Sequence, residues 1–304
     1  MAFSVTRNRR TWWLVSAVLV AVSILGMVIS WGQTGGPVQP GLDFRGGTKL
    51  QFERDCARAS CDKPLSSGAI QAVLDRFGAG AGSSVQVIGQ DQAGMVIRTG
   101  SLEPKTRADL QQALEADFGP FNPKLTQIDT VGPILGQQLL QSGLLALLIS
   151  FVGIMVYLSF RFERDYAVMG IVALFHDVFI TTGVFAWMGL TGHFEADSLF
   201  IVALLTITGF SINDTVVIYD RIRETLQKNP NDDIETVVDL SVNQTMTRSI
   251  NTTLTVLLPL LAIYFFGGET LKTFALALLV GFTLGAYSSI FIASTLLEWW
   301  RKRR

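Results

Sequence analysis

The sequence contains few of the residues on which most enzyme chemistry depends. Its 304 residues include two cysteines and two histidines. It has no glycine-rich phosphate-binding loop, no Ser–His–Asp arrangement and no cluster with metal-ligand spacing. We therefore predict that the chain has no catalytic residue, no metal and no cofactor, and that any ATP chemistry in its system belongs to another chain.

Charged residues are also scarce, since they make up 16% of the chain, and the mean hydropathy is +0.39. Both values are typical of membrane proteins. A helix needs about 20 apolar residues to cross the hydrocarbon core of a bilayer. We predict an α-helical polytopic membrane protein with six transmembrane helices, near residues 12–31, 139–160, 167–190, 198–219, 248–266 and 271–298.

The first apolar run has two interpretations. It follows the basic sequence "RNRR", as the apolar region of a signal peptide does. However, it is longer than that region usually is, and the following "WGQTGGP" is not a small-residue cleavage site. We interpret the run as a membrane anchor.

The basic residues predict the orientation of the chain, because Lys and Arg are enriched in cytoplasmic loops. The loops "TGHFEAD" and "FGGET" contain neither residue. The segments on the other side carry Arg7, Arg9, Arg10, Arg161, Arg164, Arg221, Arg223, Lys228, Arg248, Arg301, Lys302, Arg303 and Arg304. We predict that both termini are cytoplasmic. Around "NPNDD" on that side, we predict two short amphipathic helices.

Residues 32–138 form a polar, glycine-rich segment that is too long to be a loop. Its pattern predicts the order β-α-β-β-α-β, with "LDFRGGTKLQFE" as a first strand that a Gly-Gly turn or bulge interrupts. This order is typical of a small ferredoxin-like α+β domain. The predicted regions are therefore 1–31, an extracytoplasmic domain at 32–138 between helices one and two, and a five-helix bundle at 139–304.

The two cysteines, Cys56 and Cys61, both lie in this outer segment. An oxidising compartment permits a disulfide between them. Two unlinked thiols are the alternative. A metal site would need more ligands than this stretch offers.

Asp214 lies in the fourth apolar run, where a charge near the bilayer centre costs ~3 kcal/mol. Thr208, Ser211 and Thr215 extend a polar stripe along the same side of that helix. Asp214 is either a proton-binding residue or a structural residue that reaches the cytoplasmic face. Its neighbour Asn213 cannot titrate, and we expect it to bond another helix.

Arg248 begins a polar face on the fifth run, which Asn251 and Thr252 continue at helical spacing. Arg248 is either a positive-inside anchor or the charge partner of Asp214. We expect Asn251 and Thr252 to be polar residues in helix packing. If Asp214 and Arg248 pair, protonation of Asp214 would free Arg248 to move.

His176 and Asp177 lie near the middle of the third run. Histidine titrates near neutral pH, so the two residues are candidates for a proton pathway. Packing and hydrogen bonding would account for them equally well. Adjacent residues on a helix point about 100° apart, and we therefore expect that these two side chains do not face each other.

Four long motifs resemble the SecF family, which belongs to the resistance-nodulation-division superfamily. They are "GLDFRGGTKLQF", "LFHDVFITTGVFAW", "GFSINDTVVIYDRIRE" and "SVNQTMTRSINTTLTVLLPLLAIYFFGG", and they occur in the family's order along nearly the whole chain. The resemblance implies a subunit of the bacterial inner membrane that pairs with SecD to form a pseudo-symmetric bundle of twelve spans.

The resemblance also implies a function and partners. The family assists the SecYEG channel and uses the proton gradient to help export polypeptides. The implied partners are SecD, SecYEG, protons and the translocating polypeptide, with YajC as a further candidate and no nucleic acid. The family's proposed proton-path residues match Asp214 and Arg248, whereas the match of His176 and Asp177 carries no assigned role.

Three functions remain open from the sequence. The first is a proton-driven motor subunit, and the second is a scaffold that conducts no protons. The third is an intramembrane aspartyl protease, which would need Asp177 and Asp214 to face each other. The sequence lacks the Tyr-Asp and Gly-x-Gly-Asp stretches of such proteases.

Overall fold

The protein is described by a computed structural model at residues 3–56, 64–89, 92–192 and 194–303. The chain forms two compact units. We call Pro40–Gln141 the sheet unit. Met1–Gln39 and Ser142–Arg304 together form the helical unit.

Helices dominate the described residues. In chain order, the elements are α1 (Arg9–Thr34), α2 (Leu42–Arg45), β1 (Gly47–Glu53), α3 (Ser67–Arg76), β2 (Ser84–Ile88), β3 (Gly94–Thr99), α4 (Pro104–Phe118), β4 (Gln127–Val131), α5 (Pro133–Arg161), α6 (Arg164–Leu190), α7 (Ser198–Lys228), α8 (Ile234–Phe266), α9 (Glu269–Ser288), a π-helical turn (Ser289–Ala293) and α10 (Ser294–Lys302).

Six helical segments in the described part of the chain are long and apolar enough to cross a membrane. They are α1, α5, α6, α7, α8 and the continuous segment Leu271–Lys302, which runs from α9 through the π-helical turn into α10. The predicted number of membrane-crossing helices is therefore confirmed by length and composition.

The prediction of two short amphipathic helices around "NPNDD" is wrong. The helix α7 continues to Lys228, and α8 begins at Ile234, so these residues extend the membrane helices themselves. Glu224 accepts from Arg221 and from Lys228, each at 2.6 Å. Such pairs three and four residues apart stabilise a helix where it leaves apolar surroundings.

The sheet unit contains an antiparallel sheet with the order β2-β3-β1-β4 in the described residues. On the central strand β1, Leu50 lies opposite Ile97 of β3 and Ile128 of β4. Alternate residues of β1 point into a core to which α3 and α4 contribute Ile70 and Leu110. The hydrophobic residues of one sheet face and two helices therefore account for this core.

The start of the "LDFRGG" motif differs from the predicted strand, because Leu42–Arg45 forms the helical turn α2. Gly46 and Gly47 follow with φ values of 72° and 126°, which residues other than glycine rarely adopt. A Cβ atom on Gly47 would lie 2.5 Å from the carbonyl oxygen of Thr99. The two glycines therefore end the helical turn and start β1.

Small residues allow α1 and α6 to pack closely in the helical unit. The buried residues of α1 are Ser16, Ser23, Gly26 and Ser30. A Cβ atom on Gly183 would lie 2.2 Å from the Cβ of Ser23, and one on Gly26 would lie 2.6 Å from Nε1 of Trp187. Close packing of this kind, rather than the hydrophobic effect, holds helices together in lipid.

Ion pairs join the helices of this unit at the end that carries the N-terminus. Arg9 of α1 donates to both carboxylate oxygens of Glu298 at 2.7 and 2.6 Å, and the Glu298 side chain is fully buried. Arg301 of α10 pairs with Asp165 of α6 at 2.5 Å. These contacts fix the last helix against the first and third spans.

A valine at Gly183 should separate α1 from α6, because the new side chain would overlap Ser23. We expect a loss of about 1–3 kcal/mol in the free energy of unfolding, visible as a lower Tm of the detergent-solubilised protein. Gly153→Val is the matched control, since nothing lies within 4 Å of a Cβ placed there. An equal Tm for the two variants would contradict this packing.

Replacement of Arg9 by Met should leave the Glu298 carboxylate buried without its partner, at a cost of about 3–5 kcal/mol. The double variant Arg9→Met/Glu298→Met removes both charges, and it should recover most of the stability in the same unfolding assay. Arg10→Met alters an exposed neighbour and serves as the control. If the double variant is no more stable than Arg9→Met, the unpaired Glu298 carboxylate is not the cause of the lost stability.

Candidate functional site

The Asp177 carboxyl group joins three helices inside the helical unit. Asp177 lies on α6 and is fully buried. Its Oδ2 atom accepts hydrogen bonds from Ser211 of α7 and Ser288 of α9, each at 2.6 Å. Because Oδ2 has two lone pairs, these two hydroxyl groups fill its acceptor capacity and leave Oδ1 for other contacts.

The Oδ1 atom of Asp177 lies 2.9 Å from Nδ1 of His176. The expectation that these adjacent side chains do not face each other is therefore wrong. Although their Cα–Cβ bonds diverge, the imidazole ring is long enough to reach the neighbouring carboxyl group. The two residues form one hydrogen-bonded pair.

The hydrogen bonds of His176 continue into the first span. Its Nε2 atom lies 3.0 Å from Oγ of Ser16 on α1. The Ser16 hydroxyl lies 3.3 Å from the hydroxyl of Tyr287 on α9, which donates to the carbonyl oxygen of Trp12 at 3.0 Å. The pair is therefore connected through hydrogen bonds to the first turn of α1.

Asp214 is a second buried carboxyl group, on α7, with 7% of its surface exposed. Its Oδ1 atom accepts from the hydroxyl of Ser249 on α8 at 2.6 Å. Its Oδ2 atom is buried, and no hydrogen-bond partner for it exists among the described residues. A buried carboxyl oxygen without a partner is costly, and a functional role is one physical reason for keeping it.

Arg248 precedes Ser249 on α8 and is exposed. It makes no ion pair with any residue in the described ranges. In this structure, Asp214 is therefore bonded to a serine and not to the arginine that the sequence suggested.

The predicted helix-packing residues lie at the surface of this chain. Asn213 and Asn251 are exposed, and Thr252 is half-buried. Their role in packing stays a prediction. The other predicted pair also stays a prediction, because Cys61 lies outside the described residues and Cys56 lies at the edge of them.

A π-helical turn at Ser289–Ala293 interrupts the last span beside both carboxyl sites. Ser288 donates to Asp177, and Ser289 lies 2.8 Å from the hydroxyl of Thr215, one residue beyond Asp214. Such turns occur frequently at functional sites. Consecutive serines, the last residue of α9 and the first of the turn, therefore contact the surroundings of each carboxyl group.

Among the described residues, no hydrogen bond joins the carboxyl groups of Asp177 and Asp214, which an aspartyl protease would hold together. Each carboxyl group has its own hydrogen-bond partners, Ser211 and Ser288 for Asp177 and Ser249 for Asp214. Among the residues that the structure describes, no group of three or more His, Cys, Asp or Glu side chains is placed to hold a metal ion. The arrangement is suited to holding protons and changing hydrogen bonds.

Four residues of the site did not emerge from the sequence patterns: Ser16, Ser249, Tyr287 and Ser288. Serine hydroxyls are common in apolar helices, where they often bond their own backbone. The sequence does contain one regularity that points to α1, since Ser16, Ser23 and Ser30 recur every seven residues. It also places "YSS" in the middle of the last apolar run.

Comparison with known proteins places the chain in one family. A family described as "Protein export membrane protein SecD/SecF, C-terminal" matches residues 111–303. A "Protein translocase subunit SecF" from Synechocystis sp. is 54% identical over 293 residues, which are 96% of this chain and 92% of the relative. One from Prochlorococcus marinus is 39% identical over 303 residues, which are 97% and 94% of the two chains.

Two solved structures are also similar. The crystal structure of SecDF from Thermus thermophilus, described as a translocon-associated membrane protein, has a TM-score of 0.84 and 30% identity and matches 100% of this chain. SecDF in a "Super-membrane-facing form" has a TM-score of 0.64 and 28% identity. This chain spans 39% of either SecDF chain. The chain is a multi-pass membrane protein that belongs to the SecF family of protein translocase subunits.

Proposed function

We propose that this chain, together with SecD, uses the proton-motive force to assist the export of polypeptides through SecYEG. The observation that carries the proposal is the buried Asp214 carboxyl group, which has one serine donor and one oxygen without a partner in the described residues. A proton that arrives at such a group changes its charge and its hydrogen bonds together. The role is transport, without catalysis of a chemical reaction.

In the proposed mechanical step, Asp214 changes its contact on α8 from Ser249 to Arg248. Ser249 directly follows Arg248 on α8, and the directions of successive side chains on a helix differ by a rotation of about 100°. When Asp214 carries a proton, the Ser249 hydroxyl suffices as its partner. When Asp214 is ionised, a rotation of α8 brings the Arg248 guanidinium to the carboxylate. The two charge states therefore favour two packings of α8 against α7, which is the minimum requirement of a proton-driven motor.

The partner supplies the other half of the proton pathway in this proposal. The exposed Asn213, Asn251 and Arg248 give the helical unit a polar surface beside Asp214. Exposed polar groups of this kind are costly in lipid, and a second helical bundle would cover them. We propose SecD as that bundle, SecYEG as the channel that the pair assists, and YajC as an additional partner.

The orientation in this proposal places both termini in the cytoplasm and the protein in the bacterial inner membrane. The basic ends of the helical unit support it, because Arg7, Arg9, Arg10 and Arg301 lie at the end that carries the termini. The sheet unit then lies outside the cytoplasm. Its β-α-β-β-α-β order and its strand arrangement support a ferredoxin-like domain between the first two spans.

A scaffold that conducts no protons is the second candidate. The ion pairs Arg9–Glu298 and Arg301–Asp165 favour it, since they hold three spans rigidly at one end. The two functions differ in one requirement. Only the motor needs a residue at position 214 that binds and releases a proton.

The substitution Asp214→Asn should abolish the gradient-dependent part of export, because an amide cannot bind and release the proton. The measurement is export of a secreted substrate by vesicles that contain SecYEG, SecD and this chain, with and without a proton gradient, at matched abundance of the complex. Asp220→Asn is the control. It removes a carboxylate from the same helix, but that carboxylate is paired with Arg161 and Arg223 at the helix end.

Two results would decide between the candidates. If Asp214→Asn loses gradient-dependent export while Asp220→Asn retains it, the motor is supported. If both variants export at the wild-type rate in the presence of the gradient, Asp214 is structural and the scaffold is the better description.

A further inference from the structure

The hydrogen bonds from Asp177 to α1 have a direction that the geometry determines. The carbonyl oxygen of Trp12 can only accept, so the Tyr287 hydroxyl donates to it. The Tyr287 oxygen then accepts from the hydroxyl of Ser16. Because the Ser16 hydroxyl donates to Tyr287, its oxygen accepts a hydrogen bond from His176. These donor and acceptor roles therefore place a proton on Nε2 of His176.

This direction leaves a transferable proton between His176 and Asp177. With one proton on Nε2, the second is either on Asp177 Oδ1, as an acid beside a neutral ring, or on Nδ1, as an imidazolium beside a carboxylate. The hydroxyls of Ser211 and Ser288 donate to Oδ2 in both cases. Proton exchange at Asp177 therefore occurs at Oδ1, toward His176.

We propose that Ser16 and Tyr287 are relay residues, which pass a proton between the His176–Asp177 pair and the end of the helical unit where α1 begins. The inference deepens the proposed function and rests on it, because a relay is useful only to a chain that moves protons. It gives the first span a part in proton movement in addition to anchoring. The relay is distinct from the contact between Asp214 and Ser249.

Each step of the relay breaks one bond to hydrogen and forms another. The proton on Asp177 Oδ1 moves to His176 Nδ1, and the proton on Nε2 moves to Ser16 Oγ. The Ser16 proton moves to the Tyr287 oxygen, and the Tyr287 hydroxyl breaks its hydrogen bond to the Trp12 carbonyl oxygen and releases its own proton to water at the end of the bundle. The histidine ends neutral with its proton on Nδ1, one proton has left, and the negative charge remains on Asp177. The reverse order of transfers returns a proton to the pair: water gives a proton to the Tyr287 oxygen, the Tyr287 proton moves to Ser16 Oγ, the Ser16 proton moves to His176 Nε2, and the Nδ1 proton moves to Asp177 Oδ1.

Burial favours a relay of side chains over a path of bulk water. Ser16 is 7% exposed, and the side chain of His176 is 9% exposed. Tyr287 is half-buried, and its ring lies 6.4 Å from the ring of His176 at an angle of 28°. The ring contact holds the phenol beside the imidazole while its hydroxyl changes partner. Tyr287, which contacts the first turn of α1, is therefore the residue through which the proposed relay reaches the end of the bundle.

The test uses the complete complex of this chain, SecD and SecYEG in vesicles. The variants Ser16→Ala and Tyr287→Phe each remove one relay hydroxyl and leave the rest of the side chain nearly unchanged. We expect a severalfold loss of gradient-dependent export and of proton uptake, which a pH-sensitive dye in the vesicle lumen reports. The conservative variant Ser16→Thr retains a hydroxyl and should restore both rates.

Ser23→Ala is the matched control, because Ser23 lies two turns further along α1 on the same buried face. Like Ser16→Ala, it removes one buried hydroxyl, but it leaves the relay intact. A loss of packing would lower complex abundance in Ser23→Ala as well as in Ser16→Ala. Loss of the relay instead lowers export and proton uptake in Ser16→Ala and Tyr287→Phe at equal abundance of the complex, and it leaves Ser23→Ala at the wild-type rates.

The failure of the relay and that of the proposed function give different results. Wild-type rates for Ser16→Ala and Tyr287→Phe, with loss in Asp214→Asn, overturn the relay and leave the motor in place. Loss in the relay variants but not in Asp214→Asn supports the relay and rejects Asp214 as the proton-binding residue. Wild-type rates in all three variants overturn both inferences.

Discussion

The hydrogen bonds of the Asp177 carboxyl group are the interaction on which the centre of the helical unit depends. They join α6 to α7 through Ser211 and to the last span through Ser288, and His176 extends them to Ser16 of α1. Lipid offers no replacement for these bonds, so every polar group here must find its partner within protein. When the Asp177 carboxyl group gains or loses a proton, either a neighbouring side chain must supply or accept that proton, or the helices must move to provide new hydrogen bonds.

The two buried carboxyl groups differ in a way that suits different tasks. Asp177 is surrounded by partners from this chain alone, whereas Asp214 has one serine partner and lies beside the exposed Asn213. The first arrangement is complete without a second protein. The second leaves one buried carboxyl oxygen without a hydrogen-bond partner among the described residues. The junction of α9 and the π-helical turn contacts both environments through Ser288 and Ser289, so it is placed to transmit a change at one to the other.

The sequence predicted the membrane helices well, because a run of about 20 apolar residues is long enough to span a bilayer and is rare in water-soluble domains. It predicted Asp214 and Asp177 as candidates for a related reason, since carboxyl groups are rare in such runs. The ends of α7 and α8 were missed because amphipathic extensions do not reveal whether a helix stops at the interface. The bond between His176 and Asp177 was missed because helical angles describe Cβ directions and not the reach of a ring. Ser249 and Ser288 depend on contacts between distant parts of the chain, which no local pattern contains.

Difference infrared spectroscopy of the reconstituted complex tests directly whether Asp214 binds and releases a proton while the complex works. The carbonyl band of a protonated carboxyl group is recorded before and after a proton gradient is imposed, in wild type and in Asp214→Asn. We expect a gradient-dependent carboxyl band in wild type that is missing in Asp214→Asn and retained in Asp220→Asn. An identical band change in wild type and Asp214→Asn would show that the proton resides on another group and that Asp214 does not bind it.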